Sequence, residues 1–341
     1  METDPRGSKD FVFCFYLISP NFGRTHGGDT QLSKTLIQFS NVGFSYGDRI
    51  ALDSLSFDIR EGELFCVVGP NGGGKSTTFK ILSTLLKPQS GSVSFWGIDG
   101  VKHPEKIRPE LGVVFQSPAL DKKLTIQENL VYHGKLYGLR GASLAKKVED
   151  LLKRFAVFDR KDERVEKLSG GLKRRVEIAK SLISGPKLLI LDEPTTGLDP
   201  VARREMWSYL DVLRKEQGIS IVFTTHLMDE AESADRTLVL NQGKVVTSGT
   251  PAQLKSQMGG DVISLKTTHP EALKEEIEKK FSVPVKKVDD ELRIEKMEGA
   301  RFIPTLVEAF PHQILSVTLG KPTLEDLFIH LTGQRFVGGE A

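Results

Sequence analysis

The chain is short of cysteine. Of its 341 residues only Cys14 and Cys66 are cysteines, one in an N-terminal leader and one in an apolar run of strand character. Two residues so placed make no disulfide framework, and a reducing cytoplasm fits them. Long apolar runs are missing as well. The longest uncharged apolar run, residues 11–18, has eight residues, against about twenty for a membrane-spanning helix. It has the size of a signal-peptide core. However, Glu2, Asp4 and Asp10 spoil the positive flank, and Ser19-Pro20-Asn21-Phe22 offers no small-residue cleavage site. Residues 1–34 read as a poorly ordered leader, with a membrane-touching segment as the alternative. Charge of one sign is not in excess: 47 basic residues face 45 acidic ones, for a net +2. Nothing in that balance demands nucleic acid, and no nucleic-acid partner is expected. Internal repeats, low-complexity tracts and heptad runs are also absent.

What is present is enough for about two domains at this length, with 39% hydrophobic residues to fill them. Alternating apolar positions over residues 37–44, 54–59 and 92–96 predict strands. Residues 118–172 turn helical, and Thr125-Ile126-Gln127-Glu128 is a capping box that opens a helix toward Tyr137. Strand and helix patterns alternate again over 187–248, a βαβ rhythm that predicts a mostly parallel, doubly wound sheet. From residue 262 a separate α+β region is expected, to about residue 335. Its pattern is a strand (262–267), a helix (270–281), two short strands around Asp289-Asp290, a helix (302–309), a strand (314–319) and a last helix (323–331).

The chemistry begins at Gly69-Pro70-Asn71-Gly72-Gly73-Gly74-Lys75-Ser76-Thr77, which satisfies G-x-x-x-x-G-K-[ST]. Such a turn lets successive backbone N–H groups converge on phosphate oxygens. Lys75 is placed to reach the β- and γ-phosphates, and the Ser76 hydroxyl to ligate Mg²⁺. The run 63–68 reads as a buried strand entering the loop, and 77–86 as a helix whose positive end faces the phosphates. A second element, Leu188-Leu189-Ile190-Leu191-Asp192-Glu193, looks like a strand buried on both faces. Its carboxyl end sets Asp192 as the Mg²⁺ partner and leaves Glu193 to polarise an attacking water.

At this point the sequence resembles one family, the ATP-binding subunits of ABC transporters, over about residues 36–250. Lys167-Leu168-Ser169-Gly170-Gly171-Leu172-Lys173 resembles the family's signature motif and lies 23 residues before Asp192, counted from Ser169. Ser169 with the Gly170 and Gly171 amides opens a helix, an anion site with the helix dipole behind it. The resemblance implies that this site closes on the γ-phosphate held by the opposite subunit. It also implies roles for other residues by position. Tyr46 matches the aromatic that stacks on adenine. Gln116 matches the glutamine that senses Mg²⁺ and water. Asp199, in Thr195-Thr196-Gly197-Leu198-Asp199-Pro200, matches the loop crossing between subunits. His226 matches the switch histidine.

The fold implied is a P-loop NTPase cassette over residues 35–255: a mostly parallel core sheet, an antiparallel β subdomain, a helical subdomain, and then the α+β domain. The function implied is an ATPase using ATP and Mg²⁺. Catalysis would fall to Glu193, His226, Lys75 and Gln116. The partners implied are a second ATPase subunit and a separate transmembrane permease, with the chain held peripherally at the cytoplasmic face. Two positions depart from the family: Leu172 stands where many members carry Gln, and Gly73 stands for a commoner Ala, which predicts a slightly looser loop. Pro322-Thr323-Leu324-Glu325-Asp326-Leu327-Phe328-Ile329-His330-Leu331-Thr332-Gly333 resembles the end of daunorubicin-resistance-type exporter ATPases. That ending favours export over import. A soluble ABC ATPase of the DNA-repair or translation type is the alternative. It usually carries two cassettes or a long coiled coil, and neither occurs here.

Overall fold

The computed structural model describes residues 34–333; the leader, with its apolar run and Cys14, lies outside the described residues. β1 (Thr35–Tyr46) and β2 (Arg49–Arg60) form a long antiparallel hairpin interrupted by bulges. β3 (Leu64–Val68) follows, then the glycine loop and α1 (Lys75–Leu82). β4 (Ser90–Phe95) and β5 (Ile98–Asp99) return beside the hairpin, giving the order β2-β1-β4-β5. The one-turn α2 (Pro104–Ile107) leads to β6 (Leu111–Val114). Three helices come next: α3 (Ile126–Leu136), α4 (Gly141–Arg154) and α5 (Gly170–Ser181). β7 (Leu188–Asp192), α6 (Pro200–Gln217) and β8 (Ser220–Thr225) restore the α/β alternation. The short α7 (Met228–Ala231), β9 (Arg236–Asn241), β10 (Lys244–Gly249) and α8 (Pro251–Lys255) complete this region.

The central sheet has six strands in the order β10-β9-β3-β8-β7-β6. All its pairings are parallel except β9 with β10. The inner strands β3 and β7 read as unbroken apolar runs because both faces are covered, whereas β10 at the edge is exposed to half-buried. Along β3, Leu64, Cys66 and Val68 point into a core shared with α3 to α6. Phe65 and Val67 point the other way, into a core shared with the antiparallel layer and α1. β7 and β8 divide in the same way, with Leu189, Leu191, Ile221 and Phe223 on the first face and Leu188, Ile190 and Val222 on the second. The carboxyl ends of β6, β7, β8 and β3 therefore lie side by side. The loops that leave them carry Gln116, Glu193, His226 and the glycine turn.

Local signals explain the element ends. The Thr125 hydroxyl accepts from the Glu128 N–H at 3.1 Å while Glu128 accepts from the Thr125 N–H at 2.8 Å, the reciprocal cap expected of that sequence. α1 begins at Lys75 rather than residue 77, because Gly74 itself is the cap, at φ 108°. It ends at Leu82, short of residue 86, since Thr84 turns left-handed at φ 58°.

The remaining region holds β11 (Asp261–Thr267), α9 (Pro270–Phe281), β12 (Val285–Val288), β13 (Glu291–Lys296), α10 (Gly299–Ala309), β14 (Ile314–Gly320) and α11 (Leu324–Thr332). The strands form an antiparallel sheet, β12-β13-β11-β14, over a core that includes Leu273, Ile277, Leu292, Ile294 and Leu306. α11 departs from the grouping that the sequence implies. Leu324, Leu327 and Phe328 sit in the core of the first region, with Leu254 and Met258, and not in that of the α+β sheet.

Candidate functional site

A cleft of about 600 Å³ opens at the carboxyl edge of the central sheet. It is lined by Tyr46, Arg49, Ala51, Asn71, Gly72, Gly74, Lys75, Ser76, Thr77, Gln116, Glu193, Thr196 and His226. Residues far apart in sequence thus meet because four parallel strands end together.

The glycine turn is shaped by close contacts. Gly69 runs against the end of β9, where a Cβ would come within 2.4 Å of the Leu240 carbonyl oxygen. Gly74 holds φ 108° with Leu52 and Ala51 behind it, so no side chain fits there. Gly73 donates its N–H to the Pro70 carbonyl at 3.0 Å and accepts from the Gly243 N–H at 3.0 Å. Lys75 is buried, and its ammonium donates to the Gly69 and Pro70 carbonyls at 2.8 and 3.2 Å. Burial pushes that ammonium below its ordinary pKa, against the pull of the Glu193 and Asp192 carboxylates. Ser76 faces the cleft from the first turn of α1.

Glu193 is the centre of the arrangement. Its Oε2 accepts from Gln116 Nε2 at 2.9 Å and from the Thr196 hydroxyl at 3.3 Å, and lies 3.2 Å from His226 Nδ1. Its Oε1 is 3.9 Å from the Lys75 ammonium. The residue sits at φ 44°, a left-handed conformation that a non-glycine residue adopts only where its surroundings hold it. Its N–H donates to the Thr224 hydroxyl at 3.0 Å, and that hydroxyl donates to Asp192 Oδ1 at 2.6 Å. Burial raises the Asp192 carboxyl above the ordinary carboxylate range, with the Thr224 hydroxyl opposing it.

Tyr46 ends β1 half exposed, edge-on to Phe44 at 4.9 Å, with the Lys80 ammonium 5.9 Å from its ring. Ser169, Gly170, Gly171 and Asp199 do not line the cleft. Ser169 caps α5, accepting from the Leu172 N–H at 3.4 Å, and is exposed. Asp199 caps α6 by accepting from the Val201 and Ala202 N–H groups, each at 3.0 Å, which lowers its carboxyl pKa.

Four residues of this neighbourhood escape the sequence reading. Arg49 lines the cleft from the start of β2, near Gly72. Thr196 and Thr224 bond Glu193 and Asp192. Arg174 braces the turn that bears Glu193. Only Arg49 leaves a trace in the sequence, as a cation across a tight turn from Tyr46.

Residues 52–196 match the sequence profile of a family described as ABC transporter. The linearmycin resistance ATP-binding protein LnrL of Bacillus subtilis (strain 168) is 34% identical over 308 residues, which cover 88% of this chain and 99% of that protein. The chain belongs to the ATP-binding proteins of ABC transporters. This ABC ATPase is also 35% identical, over 309 residues, to the daunorubicin resistance ATP-binding protein DrrA3 of Streptomyces coeruleorubidus; the match covers 89% of the chain and 97% of that protein. Among solved structures it resembles a dimeric post-hydrolysis state of the ATP-binding cassette MJ0796 bound to ADP and Pi. That match has a TM-score of 0.57 and 30% identity, and covers 63% of this chain and 98% of that one. The fold is thus that of a P-loop ABC cassette, and the ABC ATPase binds and hydrolyses ATP to energise a transporter. Among the described residues no helix is long and apolar enough to cross a membrane.

Proposed function

We propose that this chain is the ATPase of an exporter, that it works as a head-to-tail pair, and that Glu193 is its catalytic carboxylate. The observation that carries the reading is the Glu193 carboxylate itself. Gln116, Thr196 and His226 hold one of its oxygens, and the other faces Lys75 across the cleft. A carboxylate aimed by three neighbours beside a phosphate loop is suited to orient a water for in-line attack on a γ-phosphate.

Each nucleotide would stack its base on Tyr46 and lay its phosphates along the amides of Gly72 to Thr77. Lys75 would leave its carbonyl partners to neutralise the β- and γ-phosphates. Ser169 and the Gly170 and Gly171 amides of a second copy would seal the same nucleotide, with the Asp199 loop crossing between copies. The exposed first turn of α5 supports this, since its free N–H groups and dipole favour an anion.

Mg²⁺ fits the residues present. The Ser76 hydroxyl, the Gln116 amide oxygen and the Asp192 carboxylate are hard oxygen donors, and the half-buried Asp192 carboxyl, raised by desolvation, would be relieved by a cation. Among the described residues no group of three or more His, Cys, Asp or Glu side chains could hold a metal. Phosphate and water oxygens would therefore supply the rest of the shell. When bound, the ion would neutralise charge on the transferring phosphoryl group.

A separate transmembrane permease would carry the cargo, with this chain docked peripherally on its cytoplasmic side. Export is favoured because the relatives are named for drug resistance. The test is Glu193→Gln. Its turnover is expected to fall on the order of 10²–10⁴-fold, with ATP binding retained and ATP-dependent dimers visible by light scattering. Parental turnover in the variant would remove Glu193 from the role.

A further inference from the structure

Arg174 lies one turn into α5 and is 6% exposed; its neighbour Glu177 is 3% exposed. The Arg174 guanidinium is fully engaged at both ends. Its Nε donates to the Pro194 carbonyl at 2.8 Å, and its Nη2 to the Asp192 and Glu193 carbonyls at 3.1 and 3.0 Å. Its Nη1 donates to the Phe115 carbonyl at 2.5 Å and to Glu177 Oε2 at 3.0 Å. The other Glu177 oxygen accepts from the Ala119 N–H at 2.6 Å. One side chain of the signature helix therefore grips two backbones at once: the turn that aims Glu193, and the residue just before Gln116. Glu177 anchors the segment just beyond Gln116.

This arrangement does more than a core needs. A buried ion pair is a weak source of stability, often matched by apolar residues of similar size. What a guanidinium adds is a rigid planar fork that fixes several acceptors in one geometry. Here the acceptors belong to the two loops that present Gln116 and Glu193 to the cleft. Glu193 itself sits at φ 44°, so its aim depends on what holds its peptide groups.

We propose that Arg174 is a positioning residue that ties the engagement of the signature helix to the aim of Glu193, so that the two nucleotide sites of a pair act together. The inference rests on the reading that Ser169 seals a nucleotide held by a second copy. On that reading α5 touches two sites: its first residue meets the partner's nucleotide, and Arg174, one turn on, sets this chain's own carboxylate. Motion of α5 on closure then moves Gln116 and Glu193 with it.

Two variants test this. Arg174→Lys keeps a cation beside Glu177 but cannot span the carbonyls. Arg174→Met combined with Glu177→Met removes the pair without stranding a buried charge. ATP affinity of the monomer, kcat, KM, the Hill coefficient for ATP and the melting temperature are measured on the full chain. In at least one variant, kcat is expected to fall about 10- to 100-fold, as small misplacements of catalytic groups do. The Hill coefficient should fall toward about 1, while monomer affinity and melting stay near parental. If both variants keep the parental kcat and Hill coefficient, the coupling role is wrong. If affinity, kcat and melting collapse together in both, Arg174 only holds the fold and the proposal is likewise overturned. A parental protein that shows no ATP-driven pairing would instead overturn the paired-site reading on which the inference rests.

Discussion

At the scale of single residues, the phosphate loop holds glycines that differ in how much they tolerate a side chain. Gly69 and Gly73 are both small residues in the phosphate loop, but for different reasons. A Cβ at Gly69 would meet the Leu240 carbonyl at 2.4 Å, a backbone atom with no room to yield. At Gly73 the nearest atom is the Pro70 carbonyl at 3.0 Å, and the backbone there is not left-handed. Gly69→Ala is therefore expected to abolish nucleotide binding, with a stability loss above about 1 kcal/mol. Gly73→Ala should keep binding and change stability by less than about 1 kcal/mol, the stiffer loop offsetting the close contact. Titration with a fluorescent ATP analogue, alongside thermal melts, separates the two cases. The identity of Lys75, Asp192 and Glu193 was legible in the sequence because motif spacing encodes it. The left-handed φ of Glu193 and the hydroxyls of Thr196 and Thr224 were not, since a lone threonine carries no periodic or spacing signal.

At the scale of elements, α11 shows how a pattern can name a helix without naming its partner. Its apolar positions predict an amphipathic helix, and the helix forms, capped by Thr323 and Asp326. Periodicity says only that one face is buried, not against which core. Leu324, Leu327 and Phe328 enter the core of the ATPase region, and the Leu324 N–H donates to Glu232 at 3.3 Å. The opposite side pairs with the α+β sheet, through Arg293 with Asp326 and through His330, whose Nδ1 lies 2.6 Å from Glu295. α11 therefore fastens two regions. Phe328→Ala is expected to cost about 3–5 kcal/mol and to lower the melting temperature on the order of 10 °C. A melt that stays parental would show that the α11 packing contributes little. The strands of the central sheet were readable for the opposite reason. Burial on both faces writes an unbroken apolar run, such as Leu188 to Leu191, which few other environments permit.

At the scale of the whole molecule, the cleft is open on one side, and the residues expected to seal it lie elsewhere on the surface. Ser169→Arg tests that division. Hydrolysis should be lost, on the order of 10²-fold or more, while isolated chains bind ATP as before, read by equilibrium titration. Equal loss of binding in the monomer would place Ser169 in its own chain's site. One feature of the sheet also bears on how the protein is made. β3 carries the phosphate loop early in the chain, yet its neighbours on both sides are β8 and β9. About 150 residues separate the end of β3 from the start of β8. At ribosomal speeds of about 5–20 residues per second that interval lasts on the order of ten seconds or more. Throughout it β3 has the antiparallel layer to pack on but neither of its own sheet neighbours, and Gly69 has no Leu240 to lean against. The flanks of β3 in the central sheet are thus among the last parts of the cassette to be made, and Leu240, which closes behind Gly69, comes later still.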